Sequence, residues 1–148
     1  MRPDRRSTRR RPAGQGLVEF ALVIPVFLLL MMGILDFGRA ILAYNTLSNA
    51  ARDGARVAIV DQSVTGSVPA AAQEAADQAT GLGLDPSADV DVVYTDPVGA
   101  ACPSHALGCT ASVTARYPFV AITPIIGQIV GPIALEATTS LPIEFTKP

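Results

Sequence analysis

The sequence predicts an α+β fold: a long N-terminal transmembrane helix extending into a small outer domain with a short helix and a three- to four-stranded antiparallel sheet. Three observations predict it. Residues 17–35 form an apolar run broken only by Glu19 and Pro25. The helical spacing of apolar residues continues well beyond that run, and after residue 88 the apolar period changes to two, as in strands half-buried against a core.

With 148 residues, 49% of them hydrophobic, and no tryptophan, the chain has room for one membrane segment and one small domain, not for a multi-domain enzyme. The formal net charge of -2 conceals a polarised distribution. Arg2, Arg5, Arg6, Arg9, Arg10 and Arg11 all precede Gly14. Without residues 1–14, five basic groups face twelve acidic ones, a formal charge of -7. A remainder that acidic is a poor candidate for nucleic-acid binding, which needs clustered Lys and Arg against phosphates.

The first element is therefore a basic leader, residues 1–14. A basic cluster beside a long apolar segment marks the cytoplasmic side of a membrane helix more often than a nucleic-acid arm or a nuclear address. Ser7-Thr8-Arg9-Arg10-Arg11 resembles a twin-arginine export signal, but the apolar core is longer than that of an ordinary secretory signal. It runs on into Asp36-Phe37-Gly38-Arg39 without a small-residue cleavage site.

The second element is a long helix over residues 15–60. Its nineteen residues from 17 to 35 span about 28 Å at a helical rise of about 1.5 Å, enough to cross a bilayer once. With the arginines inside, the chain after Asp36 lies outside the cytoplasmic membrane. Pro25 removes one backbone hydrogen bond and predicts a kink or local loosening. Ile34, Phe37, Ile41, Tyr44, Leu47, Ala51, Ala55 and Ala58 carry an i, i+3/i+4 stripe outward, predicting one helix of about 65 Å whose stripe packs on the small domain or a neighbouring subunit.

The outer domain, residues 61–148, opens with an alanine-rich helix that Ser67 can cap near Pro69 and Gly81 can close. Strands follow at residues 89–94, 110–117 and 133–145. In the last, Ile133, Leu135, Ala137, Leu141, Ile143 and Phe145 share one face, and Pro142 places the strand at an edge or a bulge. Residues 119–132 are apolar but interrupted by proline and glycine. Ile122, Ile125, Ile126, Ile129 and Val130 fit either a loop folded over the core or an apolar patch for a partner subunit or the lipid surface.

Chemistry-bearing residues are few. Cys102 and Cys109, the only cysteines, suit a disulfide in an oxidising compartment; the alternative is a metal site completed by His105, which lacks an evident fourth ligand. Asp85, Asp89, Asp91 and Asp96 offer oxygens to calcium, but without the spacing of a calcium hand. No acid, base and nucleophile set is recognisable, so no catalytic residue, cofactor or metal is expected.

Glu19 stands out. An unpaired carboxylate in a membrane segment costs about 2.5–3.5 kcal/mol at the helix centre, so it calls for a partner, unless it lies shallow enough to snorkel to the headgroups.

Gly14-Gln15-Gly16-Leu17-Val18-Glu19-Phe20, continued by Ala21-Leu22-Val23-Ile24-Pro25 and then Gly33, Asp36 and Gly38-Arg39, resembles the start of a type IV pilin-like precursor, specifically a TadE-like minor pilin of tight-adherence pilus systems. The resemblance implies a leader cut after Gly14 by a prepilin peptidase, with Gln15 as the new terminus, Glu19 fifth and Phe20 sixth. Cutting after Gly16 would place Glu19 third. Where the family usually carries glutamate near the outer end of the segment, this chain has Asp36.

The liberated amine of Gln15 and the Glu19 carboxylate of the same or an adjacent subunit would then neutralise each other. At roughly 4 Å and an effective dielectric of about 20 they would interact by about 4 kcal/mol. The expected function is that of a minor pilin or pseudopilin in assembly of an adhesion pilus. Its expected partners are the peptidase, other pilins of the Tad system, an inner-membrane assembly platform and the lipid bilayer. The competing expectation is a single-pass anchored surface protein whose small domain binds a ligand or partner and never assembles.

Overall fold

In the computed structural model a single α-helix, α1, runs from Gln15 to Val60. The structure describes residues 14–61, 63–102 and 107–144, with the side chains of residues 125 and 126 excepted. The arginine leader before Gly14, His105 and Phe145 lie outside the described residues. At about 1.5 Å per residue α1 is about 69 Å long, and it continues through Pro25.

The two halves of α1 differ in what covers them. The inner half leaves Leu17, Leu22, Val26 and Leu30 between 61% and 71% exposed, and α1 is the one helix among the described residues long and apolar enough to cross a membrane. The outer half buries Asp36, Ala43, Leu47, Ala50, Ala51, Gly54, Ala55 and Ala58.

That set divides the expected stripe. Leu47, Ala51, Ala55 and Ala58 lie on the domain side, but Ile34, Phe37, Ile41 and Tyr44 are exposed. The reason is steric. Where apolar residues surround the whole helix, periodicity cannot choose a face, and the small side chains do so because they let a sheet and a second helix approach closely.

After α1 a short hairpin pairs β1 (Val64–Thr65) with β2 (Val68–Pro69). Gly66, at φ 68°, and Ser67 form its turn. Ser67 therefore does not cap the next helix, contrary to expectation; α2 spans Ala70–Gln78 with Pro69 at its N-cap and no side-chain cap. Proline serves there because it has no amide to satisfy and its fixed φ suits a helix start. The chain turns away after α2 through Gly81, whose φ of 83° is left-handed.

A three-stranded antiparallel sheet completes the domain. It is ordered β3 (Val90–Thr95), β4 (Thr110–Phe119), β5 (Ile133–Pro142), with a short helix α3 (Pro124–Val130) between the last two strands. Pro142 lies on the edge strand β5, where a missing donor is tolerated.

Period-two alternation divides the sheet faces. Inward, Val90, Val92 and Tyr94 lie opposite Ala115, Val113 and Ala111, which lie opposite Ala137, Thr139 and Leu141. Outward, the Ser112 and Ser140 hydroxyls are 2.8 Å apart, Thr114 and Thr138 are 2.9 Å apart, and Arg116 bonds Asp91 and lies 3.8 Å from Glu136. Asp91 above all holds the Arg116 pKa above its ordinary value.

The core lies where α1 is flanked by the inner sheet face and by Ala71, Ala72, Ala75 and Ala79. α1 and α2 approach closely at Gly54, where an added Cβ would meet the Ala71 carbonyl oxygen and the Ala75 Cβ, each at 2.8 Å.

Candidate functional site

At the inner end, helical geometry begins at the junction singled out by the sequence. Gly14 is exposed and precedes the first helical residue, Gln15, and its carbonyl accepts from Val18 N at 3.2 Å. Gln15 and Glu19, four apart, share one face of α1, with Gln15 Nε2 3.4 Å from Glu19 Oε1. Phe20 projects beside them, 64% exposed. Among the described residues Glu19 bonds Gln15, and about 26 Å of helix separates it from Asp36.

Asp36 is the residue whose role sequence reasoning missed. It is 7% exposed. Its Oδ1 accepts from Ile122 N at 3.0 Å and from Arg39 at 3.1 Å; its Oδ2 accepts from Thr123 N at 2.8 Å and Thr123 Oγ1 at 2.6 Å.

These bonds, the Thr123 hydroxyl first, then the Ile122 and Thr123 amides, and last Arg39, hold its carboxyl down to about 2. The Arg39 guanidinium also lies 5.4 Å from the centre of the Phe119 ring, a cation–π distance. The only sequence signal was a carboxylate closing an apolar run with an arginine one turn on. Nothing local connects it to a loop 87 positions away.

This clamp sets the depth of everything beyond β4. Val113 packs at the level of Gly54, Phe119 at Arg39 and Thr123 at Asp36, so β4 runs antiparallel to α1, toward its apolar half. The chain reverses through α3 and returns from Ile133, which pairs with Phe119. Residues 119–132 thus do not simply fold over the core. Thr123 and Phe119 are buried, but Val120, Ile122, Ile129 and Val130 are exposed.

Cys102 and Cys109 are joined by a disulfide, with Cα atoms 6.3 Å apart. The bond ties the chain leaving β3, where Cys102 N donates to Tyr94 O, to the start of β4. The four aspartates weighed as a calcium set are engaged separately. Asp85 accepts from Ser87, Asp89 from the Asp85 amide, Asp91 pairs with Arg116, and Asp96 accepts from Val98 N and Ala100 N.

A small α+β unit carried on one half of a single long helix, whose other half is bare and long and apolar enough to cross a membrane, defines the class of a helix-borne α+β domain. Within it, residues 14–56 match the model of the TadE family, described as TadE-like protein. The match begins at Gly14 and takes in Glu19, Asp36 and Gly54, so it covers nearly all of α1 and none of the domain beyond it. The likeness is to a family of Tad pilus-associated proteins and rests on this helix alone. No curated protein and no solved structure matches the chain.

Proposed function

We propose that this chain is a minor pilin or pseudopilin, cut after Gly14 by a prepilin peptidase and involved in assembly of a Tad-type adhesion pilus. The observation that carries the reading is the coincidence at the junction. The TadE-like match starts at Gly14, the helix starts at Gln15, and Glu19 stands one turn further along the same face.

Gly14 is exposed at the very start of the helix, and only one helical hydrogen bond, from Val18 N to its carbonyl, has to open for a protease to reach the Gly14–Gln15 peptide. The cut makes Gln15 an ammonium at the positive end of the helix dipole. That destabilises the free subunit and is relieved when a carboxylate such as Glu19 approaches. Subunit register follows from this pairing. Residues 17–35 cross the cytoplasmic membrane once, with residues 1–14 inside and residues 61–148 outside, until the subunit is drawn into the filament. Its partners are the peptidase, other pilins of the system, an inner-membrane assembly platform and the bilayer.

N-terminal sequencing of the protein purified from its host membrane is the test. A mature chain beginning at Gln15 is expected. A chain that retains the arginines overturns the processed-pilin reading and favours a permanently anchored surface protein.

A further inference from the structure

We propose that the β4–β5 tip, residues 120–132, is a membrane-contacting foot that inserts into the outer leaflet and seats the domain on the lipid surface. The proposal rests on residues 17–35 spanning the bilayer, and deepens that reading.

Depth is the first argument. Asp36 immediately follows the apolar span, and three of its hydrogen bonds hold Ile122 and Thr123 at its own height. Because β4 descends along α1, the chain begins its reversal, from Thr123 to Ile133, at that height, where a bilayer around residues 17–35 has its outer boundary.

Composition is the second. Residues 117–135 contain no charged side chain, with Arg116 and Glu136 bracketing them. Within them Ile122 is 62% exposed, Ile129 79% and Val130 58%. Large exposed apolar side chains in an uncharged stretch mark a contact surface.

Charge placement selects lipid as the occupant. The Arg39 guanidinium is half-exposed directly above the apolar tip, beside Asp36 and Phe119. Paired with Asp36 through one nitrogen, this guanidinium keeps exposed N–H donors one turn above the apolar foot, which matches headgroup phosphates above and acyl chains below, the arrangement of an interfacial anchor. Between the tip and α1 a cleft of about 200 Å³, lined by Met32, Leu35, Asp36, Arg39 and Ile122, opens at the same level.

The consequence is a second attachment point. With a single helix the domain is free to rotate and tilt about the membrane normal. With the foot seated, one face of α1 is committed to the domain and lipid, which leaves Ile34, Phe37, Ile41 and Tyr44 on other faces for neighbours.

The chain has no tryptophan, so single tryptophans report without background. The full-length protein is reconstituted in phosphatidylcholine–phosphatidylglycerol vesicles as Ile129→Trp, Leu28→Trp or Gln73→Trp, all exposed positions that tolerate the larger side chain. Emission is then quenched with aqueous iodide or with lipids brominated at defined depths. The expected result is deep bromolipid quenching of Leu28→Trp, shallow bromolipid quenching of Ile129→Trp, and iodide quenching several-fold stronger for Gln73→Trp than for either.

If Leu28→Trp is lipid-quenched while Ile129→Trp responds to iodide like Gln73→Trp, the foot is overturned and the span stands. Shielding of Ile129→Trp from both quenchers means a second protein copy covers it, which also overturns the foot. Iodide access to Leu28→Trp removes the span and the foot together.

Discussion

Asp36 and Thr123, 87 positions apart, meet through two hydrogen bonds to one carboxylate oxygen, from the Thr123 amide at 2.8 Å and its hydroxyl at 2.6 Å. The contact joins the end of the apolar segment to the end of the outer domain. Asparagine in place of Asp36 keeps the shape but has one acceptor oxygen, so an NH2 group faces one set of donors. Asp36→Asn is expected to lower hydrogen-exchange protection of the Ile122 and Thr123 amides about tenfold in detergent micelles, with amides of β3 little changed. Unchanged protection at both would remove the clamp from the account.

The same carboxylate gives a pH signature. Its folded pKa lies below the ordinary value of 3.8, at about 2, so the folded state favours the charged form. The stabilisation is fully present above about pH 4, declines as pH falls toward 2 and is absent below that. Protection of Ile122 and Thr123 followed from pH 6 to pH 2 should fall within that window, and Asp36→Asn should flatten the dependence.

Gly54 and Gly38 are both interior helix glycines, with opposite expectations. At Gly54 a Cβ meets backbone oxygen of Ala71 at 2.8 Å, which cannot rotate away. Gly54→Ala should therefore destabilise, since about 1–3 kcal/mol of overpacking exceeds the roughly 1 kcal/mol that alanine gains in helix propensity. At Gly38 a Cβ meets nothing within 4 Å, and Gly38→Ala should stabilise by about 0.5–1 kcal/mol. Thermal unfolding of both variants in micelles distinguishes them, and a lower stability for Gly38→Ala than for Gly54→Ala would contradict this packing.

Removing the Cys102–Cys109 bond by the double substitution to serine should cost about 2.5 kcal/mol in the chain-entropy model for so short a loop. Reductant should shift unfolding of the parent protein by the same amount and leave the variant unmoved. The loss should concentrate at the ends of β3 and β4, which the bond connects.

Glu19→Ala is expected to leave cleavage after Gly14 intact and to block filament assembly, read by mass spectrometry of the membrane fraction and by electron microscopy of surface pili. Normal pili in this variant would refute the pairing of Glu19 with the new amine.

Much of this molecule is legible along the chain because its signals are local. The apolar run at 17–35, the period-two strands, the proline on an edge strand and the glycine–glutamate spacing at Gly14 and Glu19 each depend on neighbours within a turn or two. Backbone geometry converts that spacing directly into a helix, a strand face or a shared helix face. Other features were decided only in three dimensions. Ile34, Phe37, Ile41 and Tyr44 fit a buried stripe by spacing, yet α1 turns its alanines and Gly54 inward, because close approach of α2 and the sheet rewards small side chains over large ones. Asp36 is an isolated acid until β4 brings Thr123 down beside it. Hydrogen-bond partners that far apart are chosen by strand direction and register, which no window of sequence contains.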